Sequence, residues 1–332
     1  MPSLDVFKAD AFSMVSLTAA INALPYQPKI LGSMGLFTSV PITTTSAIIE
    51  KKEGRLSVLQ TQPRGTMPTV ESSRNRVVRS FAVPHIPANG TIRADDVQNV
   101  RAFGSETEVE TVSGLVNDLL MNLRADHEVT FEWHRLGALR GIILDADGTT
   151  TLYNLFTEFG ETMITEDFDL DTATSDIKQC CANVIRHVED GLGADTYSEI
   201  VGICGDNFFD TLVAHPLVKE AYANWTAATM MQTQQIRSGF SFGGIRFINY
   251  RASIGGSAWL NTDHCRFYPT GVQQLFQHIM APGDMIDTVN TRGQAIYAKQ
   301  EVLPFGKGIE VHTQSNPLFL CTRPAVLVLG TQ

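Results

Sequence analysis

The chain contains no apolar run close to the roughly 20 residues that a membrane-spanning helix needs. Its first residues, MPSLDVFKADAFSMVSL, lack the basic head, apolar centre and small-residue cleavage site of a secretion signal. We therefore expect a protein without a membrane segment that stays in the cytoplasm where it is made.

Cysteines are few, and their spacing is not that of metal ligands. There are five, an odd number without a CxxC pair: Cys180, Cys181, Cys204, Cys265 and Cys321. This pattern favours reduced, mostly buried thiols over a disulfide framework or a zinc site. His127-Glu128 lacks the second histidine of a zinc-protease helix, and Gly306-Lys307 lacks the glycine spacing of a phosphate-binding loop. We predict no catalytic residues, no metal site and no cofactor.

Positive charge is also scarce, with 25 Lys and Arg against 35 Asp and Glu, a formal net charge of −10. Because phosphate contacts dominate nucleic-acid affinity, this balance argues against a chain that binds nucleic acid on its own. Basic residues do concentrate locally at Arg74, Arg76 and Arg79. Such a group indicates either a solvated strand face or an ion-pairing surface.

What the chain does have is enough apolar material for a folded protein. Hydrophobic residues make up 43% of its 332 residues and charged residues 18%, which excludes wholesale disorder. A chain of this length forms one elaborate domain or two to three modules.

The segment from Leu136 to Gly160 permits two incompatible interpretations. Its strand Ile142–Leu144 followed by Asp145 and Asp147 resembles the nucleophile motif of haloacid-dehalogenase-type phosphatases, which act beside Mg²⁺. The same residues also predict a β-hairpin, with a tight Asp147-Gly148 turn and a second strand from Thr149 to Phe156.

Spacing favours the hairpin. The second phosphatase-like motif begins at Asp206, only about 60 residues after Asp145, and each βα unit that must fit between them takes about 30 residues. Asp206 has another interpretation as the N-cap of a helix that runs through Phe209, Leu212 and Val213. We therefore favour a structural role for both motifs.

The first third of the chain predicts an arm and an extended β region that have little core of their own. We expect a helix from Asp5 to Ala23. Thr43–Glu50 and Arg55–Thr61 flank a charged turn and predict a hairpin, followed by a further strand over Arg74–Pro84. Because a thin projection of this kind is marginal alone, we expect it to lie across a neighbouring subunit.

A long helix is predicted next. Ser105 and Glu108 have the spacing of a capping box, and the pattern continues to about Ala138, which gives roughly 45 Å of helix. Glu128 and Glu132 share one face of it, an arrangement typical of a surface ion-pair network rather than acid–base catalysis.

The remainder predicts a mixed α/β module followed by C-terminal strands. We expect helices over Ser175–Asp190, with Gly191 as C-cap, and around Pro216–Trp225. The predicted strands are Glu199–Cys204, Gly244–Tyr250, Arg266–Tyr268, Gly308–Thr313, Leu318–Cys321 and Ala325–Leu329.

Short motifs in a fixed order carry a resemblance that covers nearly the whole chain. They are Glu132 with Gly137-Ala138-Leu139-Arg140-Gly141, Asp145-Ala146-Asp147-Gly148, Asn154-Leu155-Phe156-Thr157-Glu158-Phe159-Gly160, Gly205-Asp206-Asn207-Phe208-Phe209-Asp210 with His215-Pro216, Phe242-Gly243-Gly244-Ile245 with Tyr250, Ala281-Pro282, Val289-Asn290-Thr291 with Tyr297-Ala298-Lys299, and Ser315-Asn316-Pro317-Leu318 with Arg323-Pro324. In this set and order the chain resembles the major capsid proteins of tailed bacteriophages, in the family of the lambda major head protein E.

The resemblance implies an α+β chain with the Hong Kong 97-like fold. It implies an N-terminal arm (1–39), an extended β-loop (40–102), a peripheral domain (103–166 and 296–332) and an axial domain (167–295). The long helix would be the spine of the peripheral domain, and the hairpin and C-terminal strands would complete its sheet.

The function implied is self-assembly into pentamers and hexamers of an icosahedral shell that encloses phage DNA without sequence-specific binding. The residues expected at subunit contacts are Arg74, Arg76, Arg79, Glu128 and Glu132. Expected partners are a separate scaffold, a portal, a maturation protease and a decoration protein, with assembly in the host cytoplasm and residence in the virion. An encapsulin-like cargo shell of the same fold is the alternative.

Overall fold

The computed structural model describes residues 14–23, 30–52, 76–93, 96, 112–221, 239–254 and 257–332. The helices are the arm helix Met14–Ala23, the short helix Ile30–Ser33, the long helix Val112–Arg140, and helices Leu155–Phe159, Ile177–Leu192 and Asp206–Ala214. The first strands are β1 (Thr38–Pro41), β2 (Ser46–Lys52), β3 (Arg76–Ala82), β4 (Ile86–Arg93), β5 (Ile142–Leu144), β6 (Thr151–Asn154), β7 (Ile164–Asp167), β8 (Glu199–Cys204) and β9 (Phe240–Phe242). The others are β10 (Ile245–Asn249), β11 (Ser253–Ile254), β12 (Ser257–Ala258), β13 (His264–Thr270), β14 (Phe276–Met280), β15 (Tyr297–Val302), β16 (Gly308–Ser315), β17 (Pro317–Cys321) and β18 (Val328–Thr331). Within these residues, no helix has both the length and the apolarity to cross a membrane.

A six-stranded mixed sheet forms the largest core, in the order β7-β18-β13-β8-β10-β9. Its central strand β8 is buried at every residue after the first, as its unbroken apolar sequence requires. Helix Ile177–Leu192 packs against the sheet with its apolar stripe, and Gly193 rather than Gly191 is its C-cap. The predicted strands Glu199–Cys204, Gly244–Tyr250 and Arg266–Tyr268 all fall in this sheet.

The second core lies between the long helix and two three-stranded sheets, β15-β16-β4 and β1-β14-β17. The long helix spans 29 residues, about 44 Å. Gly141 follows the last helical residue and has a left-handed φ of +73°. It also lies close to Phe156, so that an added Cβ would stand 2.3 Å from the Phe156 ring. The predicted capping box at Ser105 lies outside the described residues.

The predicted hairpin is confirmed, but its second strand is shorter than expected. β5 pairs with β6, and β6 ends at Asn154. The Asn154 side chain accepts hydrogen bonds from the N–H groups of Phe156 (3.1 Å) and Thr157 (3.3 Å). This N-cap starts a short helix, so that residues 155 and 156 are helical instead of extended.

The strand predicted to pair with β2 lies outside the described residues. Within the described residues β2 pairs with β3, and residues 53–75, which include the predicted strand Arg55–Thr61, are not covered. Ala47, Ile49 and Phe81 on the inner face are buried in the core. Burial of this shared face fixes the register of β2 against β3.

The C-terminal strands belong to three different sheets. β16 joins β15 and β4, β17 joins β14, and β18 lies between β7 and β13 in the six-stranded sheet. They do not complete one sheet together with the β5–β6 hairpin, which is a separate two-stranded unit. Residues 324–326 form a 3₁₀ turn, which delays the predicted last strand to Val328.

The remaining helix predictions lie partly outside the described residues. The arm helix is described from Met14, so residues 5–13 of the predicted helix are not covered. Residues 216–221 are helical, whereas the rest of the helix predicted to end at Trp225 is outside.

Candidate subunit interface

The β2–β3 ribbon, residues 46–52 and 76–82, has one buried and one exposed face. Its inner face is anchored by Phe81, whose ring centroid lies 5.4 Å from that of Tyr153 and 5.9 Å from that of Phe159. On the outer face, 67% of Ile48 and 57% of Val78 are exposed. A firmly anchored ribbon that leaves aliphatic side chains in solvent is suited to a contact with another protein.

Of the three arginines predicted at subunit contacts, only Arg79 has a described side chain. Its guanidinium carbon lies 5.0 Å from the centroid of the Phe159 ring within the same chain. Arg76 is the first residue of β3, and Arg74 lies outside the described residues. Arg79 therefore already helps to fasten the ribbon to its own subunit.

Glu128 and Glu132 are both buried and have separate partners, which corrects the expected surface ion-pair network. Only 6% of Glu128 and 1% of Glu132 are exposed. Glu128 pairs with Arg124 at 2.7 Å. Glu132 accepts hydrogen bonds from the N–H groups of Leu31 (2.8 Å) and Gly32 (3.0 Å), the first turn of the short helix Ile30–Ser33. Because the two carboxylates are buried against their own chain, this placement does not support them as subunit contacts.

The arm helix packs on its own subunit, along the free edge of β15. The Thr18 hydroxyl accepts a hydrogen bond from the Ala298 N–H (3.1 Å) and donates to the Ala298 carbonyl (3.3 Å). The Asn22 amide donates to the Ile296 carbonyl at 2.9 Å, and Arg124 donates to the Ile21 carbonyl. These side chains take the place of a neighbouring strand and cover a sheet edge that would otherwise be open.

The two phosphatase-like motifs are both parts of local structure. The Asp147 carboxylate accepts from the N–H groups of Thr149 and Thr150 and from the Thr150 hydroxyl, which hold its pKa below the usual range. Asp145 accepts from Ala146 N–H at 2.7 Å. The N-cap of helix Asp206–Ala214 is Gly205 rather than Asp206, which instead pairs with Arg251 at 3.1 Å.

Among the residues the structure describes, no three His, Cys, Asp or Glu side chains are grouped to hold a metal ion.

A buried aromatic cluster joins the long helix to the β1-β14-β17 sheet. His278 on β14 and Phe319 on β17 are directly paired, and their rings stack at a centroid distance of 4.1 Å. The Arg135 guanidinium lies 5.0 Å from the Phe319 ring centroid. Burial and the Arg135 charge lower the pKa of His278 to about 3.

Sequence reasoning missed two exposed apolar tips. Phe305, 95% exposed, stands at the turn between β15 and β16 with a left-handed φ of +65°. Ile286 and Val289 are exposed in the loop between β14 and β15. The Pro304-Phe305-Gly306 sequence signals a turn, but only the structure shows that the aromatic ring is exposed, with the Lys307 ammonium 5.8 Å from its centroid.

Comparison with known proteins gives matches along almost the whole chain. The family model for phage major capsid protein E matches residues 13–332. The major capsid proteins of Pseudomonas phage KPP10 and Salmonella phage Felix O1 are each 27% identical to the chain over 96% of its length, covering 96% and 95% of their own.

Solved structures of capsid proteins share the fold. A putative capsid protein from a prophage of E. coli CFT073 aligns with a TM-score of 0.56 and 14% identity, over 97% of this chain and 99% of that one. The capsid of an empty GTA particle aligns with a TM-score of 0.53 and 9% identity, over 92% and 91%.

Proposed function

This chain belongs to the phage major capsid protein E family, and we propose that it builds a phage head by closing into rings of five and six subunits. The match over residues 13–332 carries the proposal. The predicted family, the capsid function and the α+β, Hong Kong 97-like fold are confirmed at this level. Assembly into a multimeric shell follows from these matches, whereas the ring sizes and the icosahedral shell are the proposal.

The extended β-loop is the segment proposed to contact a neighbouring subunit. The ribbon is anchored through Phe81 and presents Ile48 and Val78 outward, and Arg74 precedes β3 by two residues in the sequence. Burial of exposed aliphatic side chains supplies a non-directional attraction, while basic residues select an acidic partner surface. Rotation about a ring axis repeats this contact between unlike surfaces of successive copies.

The proposed domains follow the sequence boundaries, adjusted where strand pairing crosses them. Residues 1–39 are the arm, 40–102 the extended β-loop, and the long helix the spine of the peripheral domain. Residues 167–295 are the axial domain. Because β18 pairs with β7 and β13, β7 and residues 328–331 are better assigned to the axial domain, whereas β14, which pairs with β17, is better assigned to the peripheral one.

The proposed cargo is DNA, held without sequence-specific contacts. An acidic subunit suits this role, because a strongly basic inner wall would bind and arrest incoming DNA. We further propose a scaffold, a portal and a maturation protease as partners, with a decoration protein on the outer surface and assembly in the host cytoplasm. Many modest contacts per subunit would allow reversible assembly before the shell locks.

Negative-stain electron microscopy tests the proposal, on the purified protein alone and after co-expression with its neighbouring genes. Shells, tubes or rings of five and six support it. A persistent monomer under both conditions contradicts it. The family match does not favour the encapsulin-like cargo shell or the phosphatase. The absence of enzymatic activity stays an expectation, checked by assaying Mg²⁺-dependent aryl phosphate hydrolysis with an Asp145→Asn variant for comparison.

A further inference from the structure

Two buried cysteines face each other across the middle of the six-stranded sheet. Cys204, the last residue of β8, is directly opposite Cys265 of β13 in their antiparallel register. The two Sγ atoms are 3.1 Å apart, and both residues are fully buried. Their strands are the two central strands of the sheet.

The register places this pair where a cross-strand bond can form. The Gly205 N–H donates to the His264 carbonyl at 2.9 Å, so the neighbouring pair is a hydrogen-bonded one. In an antiparallel ladder such pairs alternate with non-hydrogen-bonded pairs, and Cys204–Cys265 is one of these. Cα atoms in such pairs are about 4.5 Å apart, which lies within the roughly 4.4–6.8 Å that a disulfide spans.

The surrounding residues leave space for the Cys265 side chain to meet its partner. Gly202, two residues before Cys204 on the same face of β8, would place a Cβ only 2.9 Å from the Cys265 Sγ. A larger residue there would displace the Cys265 thiol. The absence of a side chain at this position therefore keeps the two thiols in contact.

We propose that Cys204 and Cys265 are a site of covalent modification, at which a peroxide joins β8 to β13 through a disulfide. One thiol attacks hydrogen peroxide, the O–O bond breaks, and a sulfenic acid and one water form. The second thiol then attacks the sulfenic sulfur, and the S–S bond forms as a second water leaves. Two electrons pass from the sulfurs to the peroxide.

The burial of the pair sets the rate of this step. Burial, with the neighbouring Cys204 and Cys181, raises the pKa of the Cys265 thiol well above its usual range, which lowers the reactive thiolate fraction. Oxidation should therefore be slow and depend on local opening of the sheet. When the bond forms in the phage life cycle rests on the proposed function, because a released particle leaves the reducing cytoplasm. Whether the bond can form does not depend on that function.

The bond would close a loop of about 60 residues between two strands of one sheet. Constraining the unfolded chain in this way stabilises the folded protein, and we expect the thermal midpoint to rise by about 5 °C. The sheet would then be locked across its centre.

The test uses the full-length protein purified under reducing conditions, treated with hydrogen peroxide, and digested without reduction for mass spectrometry. We expect one linked pair of peptides, containing Cys204 and Cys265, and a higher thermal midpoint that dithiothreitol reverses. Cys321 is the matched control, because it is equally buried and no other thiol contacts it among the described residues. Cys321→Ser should still form the link, whereas Cys204→Ser and Cys265→Ser should not.

A second arm refolds the protein from urea in a glutathione redox buffer, where access to the thiols is not limiting. A Cys204–Cys265 link there supports the pairing even if native oxidation is slow. Absence of the link in both arms, or a link from Cys265 to Cys181 instead, overturns the proposal. The readout is made on the subunit, so a failure to assemble into shells would not alter it.

Discussion

The Glu132 carboxylate on the long helix accepts a hydrogen bond from the backbone N–H of Leu31, which lies 101 residues earlier, at 2.8 Å. The Gly32 N–H adds a second bond, and Arg135 and the Tyr250 hydroxyl lie 3.5 Å away. One buried carboxylate thus fastens the segment after the arm helix to the spine of the subunit.

Glu132→Gln keeps the size of the side chain and removes its charge. We expect the free energy of unfolding to fall by about 2 kcal/mol, because two charge-assisted hydrogen bonds weaken and Arg135 loses its ion-pair partner. Urea denaturation measures the change. Asp126→Asn, at an exposed position of the same helix, is the control and should change stability little. Equal effects of both variants would contradict the anchoring role.

Gly141→Ala tests the crowded end of the long helix. Alanine would be strained at a φ of +73° and would also place its Cβ 2.3 Å from the Phe156 ring. Gly148→Ala is the matched control, because Gly148 has a φ of +71° but no atom within 4 Å of the added Cβ. We expect the free energy of unfolding to fall by about 1 kcal/mol in the control and by at least about 2 kcal/mol more in Gly141→Ala.

Rescue separates crowding from backbone strain at this position. In the Gly141→Ala background, Phe156→Leu should recover part of the lost stability, because the ring that meets the new Cβ is gone. The same change in the Gly148→Ala background should only destabilise. Identical losses for the two glycine variants would show that the close approach to Phe156 is unimportant.

Buried histidines predict a loss of stability in acid. Burial lowers the pKa of His127 and His134 to about 4 and that of His278 to about 3, against 6.5 for a free histidine. The unfolded chain therefore binds more protons below about pH 6.5, and stability falls as pH drops from there towards the folded-state pKa values. Above about pH 6.5 both states are neutral at these positions and the effect vanishes.

His278→Phe isolates one of these groups, since phenylalanine can keep the stack on Phe319 and cannot be protonated. When the pH is lowered from about 7.5 to about 4.5, we expect the free energy of unfolding to fall by about 2 kcal/mol less in the variant than in the parent. Urea midpoints at both pH values measure this, and the value at the higher pH corrects for altered packing. An unchanged loss would show that His278 does not contribute to acid sensitivity.

Arg74→Glu combined with Arg76→Glu tests the extended β-loop. Because a neighbouring subunit is the proposed partner of this segment, particle yield on sucrose gradients should fall at least about tenfold while the subunit still folds. Lys178→Glu with Arg186→Glu, both exposed on helix Ile177–Leu192, makes the same change in charge. Particle yield that is unchanged, or that falls equally in both variants, would contradict the proposed contact. Arg79 is left intact because it contacts Phe159.

Strong local patterns were predicted well from the sequence. The helix Ile177–Leu192 and strand β8 lie within two residues of their predicted bounds, because an apolar stripe or a short apolar run rich in β-branched residues decides the local structure. The turn at Gly148 was also correctly placed. The length of β6 was not predicted correctly. The Asn154 side chain caps a short helix, and this single side chain ends the strand earlier than the apolar pattern indicates.

The candidate interface was harder to predict than the fold. Arg79 and Glu132 have charged side chains that sequence reasoning assigned to the surface, yet one packs on an aromatic ring and the other is buried against a helix N-terminus. Both contacts join residues far apart in the chain. No local sequence pattern predicts these contacts. The exposure of Ile48 and Phe305 likewise becomes evident only when the structure shows which faces are buried.

The sequence alone determined the family, the α+β class, the long helix and the structural nature of the Asp145 motif, because ordered motifs and periodic apolar residues encode local structure. Tertiary structure decided which strands pair, where β18 lies, which carboxylates are interior and that Cys204 meets Cys265. These features depend on contacts between segments that are distant in the sequence. Such contacts form because they bury whole faces of strands and helices, and the local sequence does not specify them.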